Sequence, residues 1–106
     1  VKDFTGQVIL ITGATRGIGK GIAEHFLKGG GTVIGVYSGN TEAANRFASK
    51  NECYAKKLTL LKCDISKESE VNNLFSKIEN DFSRLDVLIN NAGIRQDAVL
   101  ALMDSA

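Results

Sequence analysis

The chemistry in this sequence begins at one turn, Thr12-Gly13-Ala14-Thr15-Arg16-Gly17-Ile18-Gly19. Glycine stands there where a backbone must turn tightly, approach a diphosphate and let a helix pack close. Amides at a helix start carry the positive end of its dipole, so the turn suits an anion. Many strand-to-helix turns use glycine for geometry alone. Here the apolar run Gln7 to Thr12 precedes the turn and an amphipathic segment follows it, which is the context a dinucleotide-binding turn requires.

A phosphate loop of the ATPase type is a near miss. Lys20 is followed by Gly21, where such a loop needs Ser or Thr for magnesium, and Thr15 stands where it needs glycine. The end of the second strand discriminates further. A fold that prefers NAD places a carboxylate there against the ribose hydroxyl, whereas this chain has Tyr37-Ser38-Gly39-Asn40. Without an acid to repel an added 2′-phosphate, and with Arg16 across the strand ends to bind it, the pattern predicts a preference for NADP. Ser38 and Asn40 join Gly13, Ala14, Thr15, Arg16, Gly17, Ile18 and Gly19 as candidate cofactor-binding residues. The competing reading of Arg16 is a solvated surface arginine.

Other chemistries find little support. The 13 basic and 12 acidic residues form no long run of one sign, so neither nucleic acid nor a membrane surface is an expected partner. No apolar run approaches the length of a membrane span and Val1-Lys2-Asp3-Phe4 is no signal peptide, so a cytoplasmic location is expected. Cys53 and Cys63 make no zinc pattern and His25 has no spaced partner, so no metal site is expected. The cysteines read as free thiols in a reducing compartment, although their spacing alone leaves a disulfide open. His25 lies beside the apolar stripe of its helix and reads as solvated.

The elements that must position these residues alternate strictly. Strand patterns cover Gln7 to Thr12, Thr32 to Tyr37, Leu58 to Cys63 and Asp86 to Asn90. The first has no polar face, as in a strand buried on both sides. Helical spacing runs from Gly17 to Lys28, with Ile18, Ile22, Ala23, Phe26 and Leu27 on one stripe, and Gly29, Gly30 and Gly31 close it. A second helix spans Thr41 to Lys50, capped by Asn40 or Thr41. A third starts at Ser66 with Glu68 and Glu70 in its first turn and Val71, Leu74, Phe75, Ile78 and Phe82 on one face. Another is predicted from about Asp97, through Ala98, Leu100, Ala101 and Leu102. Strand and helix in succession imply the α/β class, a Rossmann-type doubly wound parallel sheet with right-handed crossovers. The fourth strand, apolar on both faces, would stand at the sheet's edge unless another strand pairs with it. Residues 1–106 therefore read as the N-terminal half of a single NADP-binding domain that continues past Ala106.

Three motifs in order, the glycines after Thr12, Cys63-Asp64-Ile65 ending the third strand and Asn90-Asn91-Ala92-Gly93 ending the fourth, resemble short-chain dehydrogenases/reductases of the compact type. The resemblance covers the whole chain. Asp3-Phe4-Thr5-Gly6-Gln7-Val8 and Gly93-Ile94-Arg95-Gln96-Asp97 are most similar to the bacterial 3-oxoacyl-[acyl-carrier-protein] reductase branch, which implies NADPH-dependent reduction of a 3-oxoacyl thioester in fatty acid synthesis, a carrier-bound or small-molecule substrate and a homo-oligomer, a tetramer in that branch.

The resemblance also implies that Asp64, with Ile65 beside it, contacts the adenine edge, and that Asn91, Ala92 and Gly93 pass close to the nicotinamide-side ribose. Structural roles compete: Asp64 as the cap of the turn before Ser66, and Asn90 as a bond between strands, which is favoured for Asn90. The tyrosine with a lysine four residues on, by which the family transfers a proton, is absent, because Tyr37 leads to Thr41 and Tyr54 to Leu58. No catalytic residue is therefore assigned, and the segment alone is expected to be inactive. The alternatives are a non-catalytic nucleotide-binding module, a related dehydrogenase with another carbonyl or alcohol substrate and, last, a sugar-nucleotide epimerase, whose final glycine gap is two residues where Gly17 and Gly19 are separated by one.

Overall fold

The computed structural model describes residues 3–91. Four strands, β1 (Val8–Thr12), β2 (Thr32–Tyr37), β3 (Leu58–Lys62) and β4 (Val87–Asn90), form one parallel sheet in the order β3-β2-β1-β4. Between them run α1 (Gly17–Lys28), α2 (Thr41–Lys50) and α3 (Glu68–Phe82), with a pair of 3-10 turns over Glu52–Lys57 leading into β3.

Alternation along each strand divides the core in two. Val8, Leu10, Ile34 and Val36 face α3 and pack with Cys63, Val71, Leu74, Phe75 and Ile78. Ile9, Ile11 and Val33 face the other way and pack with Ala23 and Leu27 of α1 and Phe47 of α2. This is why β1 has no polar face: every residue from Val8 to Thr12 is buried. Ile9, Leu10 and Ile11 are fully buried, which stabilises the fold by about 1.5–3 kcal/mol each relative to exposure. In β4, Leu88 joins the α3 side while Val87 and Ile89 join the other.

Three local expectations are corrected. Ile18 does not share the buried stripe of α1 but is 76% exposed, because the first turn of the helix overhangs the sheet's end. Helix α3 starts at Glu68 rather than Ser66, since Asp64 Oδ1 accepts from both the Ser66 amide (3.0 Å) and its hydroxyl (2.6 Å) and holds Ser66 in a turn. The strand patterns overreach by one residue each at Gln7, Cys63 and Asp86, which lie outside β1, β3 and β4, whereas the glycine run closes α1 as expected, through the left-handed Gly30 (φ 88°). The predicted helix from Asp97 lies outside the described residues.

Opposite the site, Asp86 closes the sheet. Its amide donates to the Val8 carbonyl (2.9 Å) and its Oδ2 accepts from the Val8 amide (2.8 Å), while Arg84 grips both carboxylate oxygens at 3.1 and 2.7 Å. The Arg84 bonds, then the Val8 amide, hold the Asp86 carboxyl below the usual aspartate range.

Candidate functional site

Because all strands are parallel, Thr12, Tyr37, Lys62 and Asn90 end at one edge of the sheet. Strand β1 is central, with β2 on one side and β4 on the other: the chain leaves β1 toward β2 and returns from β3 across the sheet to β4, so the strand order reverses beside β1 and opens a crevice there. A cleft of about 470 Å³ lies there, lined by Gly13, Thr15, Arg16, Gly17 and Ile18 of the turn, Tyr37, Ser38, Gly39 and Asn40 after β2, and Asn91 after β4.

The turn's backbone divides its amides between structure and ligand. Gly13 and Gly17 have left-handed φ of 68° and 55°. Contrary to expectation, the amides of Gly13 and Ala14 are not offered to an anion: both donate to the Val36 carbonyl, at 2.8 and 3.2 Å, and fasten the turn to β2. Ala14 is buried, and its methyl fills the space that a side chain at Gly35 would need. The first bond of α1 runs from the Lys20 amide to the Arg16 carbonyl (3.3 Å), so the amides of Arg16, Gly17, Ile18 and Gly19 precede it at the positive end of the helix. Its first turn holds no acid and Arg16 supplies no side-chain cap, leaving those donors for a diphosphate.

Gly19 makes the turn compact. A Cβ on it would collide with the carbonyl of Gly13 and stand 2.8 Å from Asn91 Nδ2. Asn91 Nδ2 itself makes a long hydrogen bond to the Gly13 carbonyl, 3.4 Å. One residue back, the Thr12 hydroxyl donates to Asn90 Oδ1 at 3.2 Å, so Asn90 does link strands, through a side-chain bond.

On the far wall, Ser38 and Asn40 are exposed, and Asn40 Oδ1 accepts from the Ala43 amide (2.9 Å) as the cap of α2. Among the described residues none that lines the cleft is acidic, and the exposed Arg16 has no ion-pair partner. Donor amides at the start of α1 and the Arg16 cation beside them fit a dinucleotide.

Asp64 and Ile65 lie one strand further out and do not line this cleft. Asp64 is held in its turn: Ser66 binds Oδ1, its amide donates to Glu70 Oε1 (2.9 Å) and its carbonyl accepts from the Lys67 amide (3.0 Å). The Ser66 hydroxyl and amide hold its carboxyl below the usual range. The turn-capping role is thus present, while the side chain of Ile65 packs against the core on the α3 side. Ala92 and Gly93 fall outside the described residues.

Tyr37 and Gly39, which the sequence offers only as part of the acid-free segment after β2 and not as binding residues, line the cleft, and Gly35 beneath Ala14, which the sequence reading passed over, seats the turn. The available signal for Gly35 was a glycine inside a β-branched strand, which marks a close approach. Cys53 is exposed and Cys63 buried, both free, and burial, then the Glu70 and Asp64 charges, push the Cys63 thiol up. The exposed His25 meets Phe4 and Phe26 edge-on. Among the described residues no group of three or more His, Cys, Asp or Glu could hold a metal, and no helix is long and apolar enough to cross a membrane.

Comparisons with known proteins agree with this geometry. The 3beta-hydroxysteroid dehydrogenase of Mediterraneibacter gnavus is 38% identical over 91 residues, covering 86% of this chain and 33% of that protein. The farnesol dehydrogenase of Aedes aegypti is 34% identical over 102 residues, covering 96% of this chain and 42% of that protein. The Pseudomonas aeruginosa RhlG/NADP active-site complex superposes with a TM-score of 0.78 at 26% identity, over 96% of this chain and 45% of that one. The chain spans about a third of the length of the first curated relatives it matches. Residues 7–106 match the family model described as short chain dehydrogenase, and with the parallel sheet and glycine turn on β1 this places the chain in the short-chain dehydrogenase family.

Proposed function

We propose that this chain is the dinucleotide-binding half of an NADPH-dependent oxidoreductase that reduces a 3-oxoacyl thioester. The observation that carries the cofactor choice is the pairing of Arg16 with an acid-free end of β2 across one cleft. The P. aeruginosa neighbour solved with NADP supports the same choice. A bound nicotinamide supplies the hydride. This chain's residues bind and orient: the amides of Gly17, Ile18 and Gly19 face the diphosphate, Arg16 and Ser38 the 2′-phosphate, and Asn91, with Ala92 and Gly93 after it, the nicotinamide-side ribose. Asp64 would receive the adenine edge.

The substrate class rests on the resemblance around Asp3 to Val8 and Gly93 to Asp97. The relatives named for a steroid and for farnesol favour a second reading, a short-chain dehydrogenase with another carbonyl or alcohol substrate. A cytoplasmic homo-oligomer, tetrameric by resemblance, with an acyl-carrier-protein-bound partner belongs to the first reading. Proton transfer is assigned to residues outside this segment, which alone would bind without turnover.

The test is titration of the intact protein with NADPH and NADH, before and after Arg16→Ala, followed by turnover assays with 3-oxoacyl thioesters, a 3-hydroxysteroid and farnesol. Tighter NADPH binding that Arg16→Ala abolishes is the expected result. Equal affinity for both cofactors would remove the NADP assignment, and turnover of only the steroid or the alcohol would replace the substrate class.

A further inference from the structure

We propose that Glu70 is a positioning residue for recognition of the cofactor's adenine: from the first turn of α3 it fixes the backbone of Asp64, leaving one oxygen of the Asp64 carboxylate for an N–H donor. The inference rests on the reading above that Asp64 receives the adenine edge, and adds to it a residue that acts through Asp64.

Asp64 stands just past the sheet. Strand β3 pairs with β2 as far as Tyr37 and Lys62, and beyond that pair the Cys63 amide donates to the Tyr37 carbonyl at 2.8 Å. Strand β2 ends there, so the half-buried Asp64 has no neighbouring strand for its amide, and such a donor must find another partner. Glu70 Oε1 takes it at 2.9 Å. An acid at the third position of a helix ordinarily reaches back to the amide of the capping residue. In α3 that residue is Lys67, whose amide already donates to the Asp64 carbonyl at 3.0 Å. Glu70 therefore reaches three residues further, to the end of the strand.

The start of α3 thus grips Asp64 by its amide, its carbonyl and Oδ1, the last through the amide and hydroxyl of Ser66. Among the described residues no hydrogen bond reaches Oδ2. The Ser66 bonds keep the carboxyl below the usual aspartate range, so Oδ2 serves as an acceptor. It belongs to the residue two positions past Lys62, at the same edge of the sheet as the ends of β1 and β2. A carboxylate oxygen with fixed surroundings suits an exocyclic amine and repels a ring that presents a carbonyl in its place.

Glu70 can hold this strand end because its helix is anchored: Val71, Leu74 and Ile78 of α3 are buried against the sheet. Its other oxygen lies 3.8 Å from Lys67 Nζ, an exposed pair that adds little. Removing the Glu70 acceptor leaves the Asp64 amide without its partner, and the turn that sets the direction of Oδ2 relaxes.

The experiment is fluorescence titration of the intact protein, and of Asp64→Ala, Glu70→Ala and Glu70→Gln, with NADPH and NADH and with the deamino analogue of each, in which a carbonyl oxygen replaces the adenine amine. The wild-type protein is expected to bind the amino form about tenfold or more tightly than the deamino form. Asp64→Ala should remove that preference. Glu70→Ala should lower it about threefold or more, by misdirecting Oδ2. Glu70→Gln, which keeps an oxygen for the Asp64 amide, should retain it. Each ratio compares two ligands on the same folded molecules, so a loss of stability alone leaves it unmoved, and each pair shares its ribose, so the choice between NADP and NAD does not enter. A preference that survives Glu70→Ala intact, or that Glu70→Gln lowers as far as Glu70→Ala does, overturns the proposal; if Asp64→Ala still removes it, the adenine reading stands. A wild-type protein that binds amino and deamino forms alike overturns both.

Discussion

Asn91 Nδ2 lies 3.4 Å from the carbonyl oxygen of Gly13, so the residue that follows β4 holds the first glycine of the turn that follows β1. Gly19 sits against both partners with no room for a methyl group. The floor of the cleft is therefore one unit, built from residues far apart in the chain.

Gly19→Ala is expected to destabilise the protein by about 1–3 kcal/mol, since the backbone of Gly13 must move. Cofactor affinity should fall with it. Gly21→Ala is the control: it lies exposed inside α1 with open space around a new Cβ, and it should stabilise by about 0.5–1 kcal/mol. Urea unfolding of both variants measures the contrast, and a neutral Gly19→Ala would show that the turn is looser than this geometry requires.

Gly35→Ala tests the seat of the turn. A Cβ there would stand 2.8 Å from Leu60 Cδ2 and 2.9 Å from the methyl of Ala14. Leu60 can rotate, whereas Ala14 can yield only by lifting the turn, whose first two amides are bonded to Val36. The expected result is a loss of about 1–2 kcal/mol together with weaker NADPH binding. Lost stability with unchanged binding would limit Gly35 to the core.

Asp86 makes stability depend on pH. Its folded pKa is lowered, so in the acid range the unfolded chain binds more protons than the folded one and stability rises with pH. The contribution is complete above the ordinary aspartate pKa of about 3.9 and is lost as pH falls through the lowered folded value. Asn in place of Asp86 keeps an acceptor for the Val8 amide but loses the charge that Arg84 grips. Asp86→Asn should melt below wild type at pH 7, with the gap narrowing in acid; a gap independent of pH would assign the effect to shape rather than charge.

Thiol chemistry should separate the two cysteines. Iodoacetamide is expected to label Cys53 in the native protein and Cys63 only after unfolding, as read by peptide mapping, because Cys63 is buried and its thiol is pushed up by desolvation. Equal labelling would mean that the edge next to β3 opens readily.

Much of this was legible because local pattern and tertiary demand agree. Strand β2 and helices α1 and α2 have the boundaries their periodicity predicts, and Asn40 caps α2 as its residue type suggests. Ile18 was misread because helical spacing reports which residues share a face, not whether that face has sheet beneath it at the first turn. The start of α3 was misread because Ser66 resembles a helix cap while Asp64, two residues earlier, claims both its amide and hydroxyl. The roles of the Gly13 and Ala14 amides could not be read locally, since their acceptor, Val36, lies on the neighbouring strand.

The pairing of β1 with β4 sets an order of events. Thr12 meets Asn90 across 78 positions of chain, and every other neighbour in the sheet is also distant in sequence. Loops of that length close slowly, and sheets built from such contacts fold more slowly than helical bundles. On a ribosome adding ~5–20 residues per second, the first strand waits roughly 4–16 s for its partner to be synthesised. Until then a buried strand of four apolar residues and Thr12 has one uncovered flank, and the crevice between β1 and β4 is among the last parts of this fold to take shape.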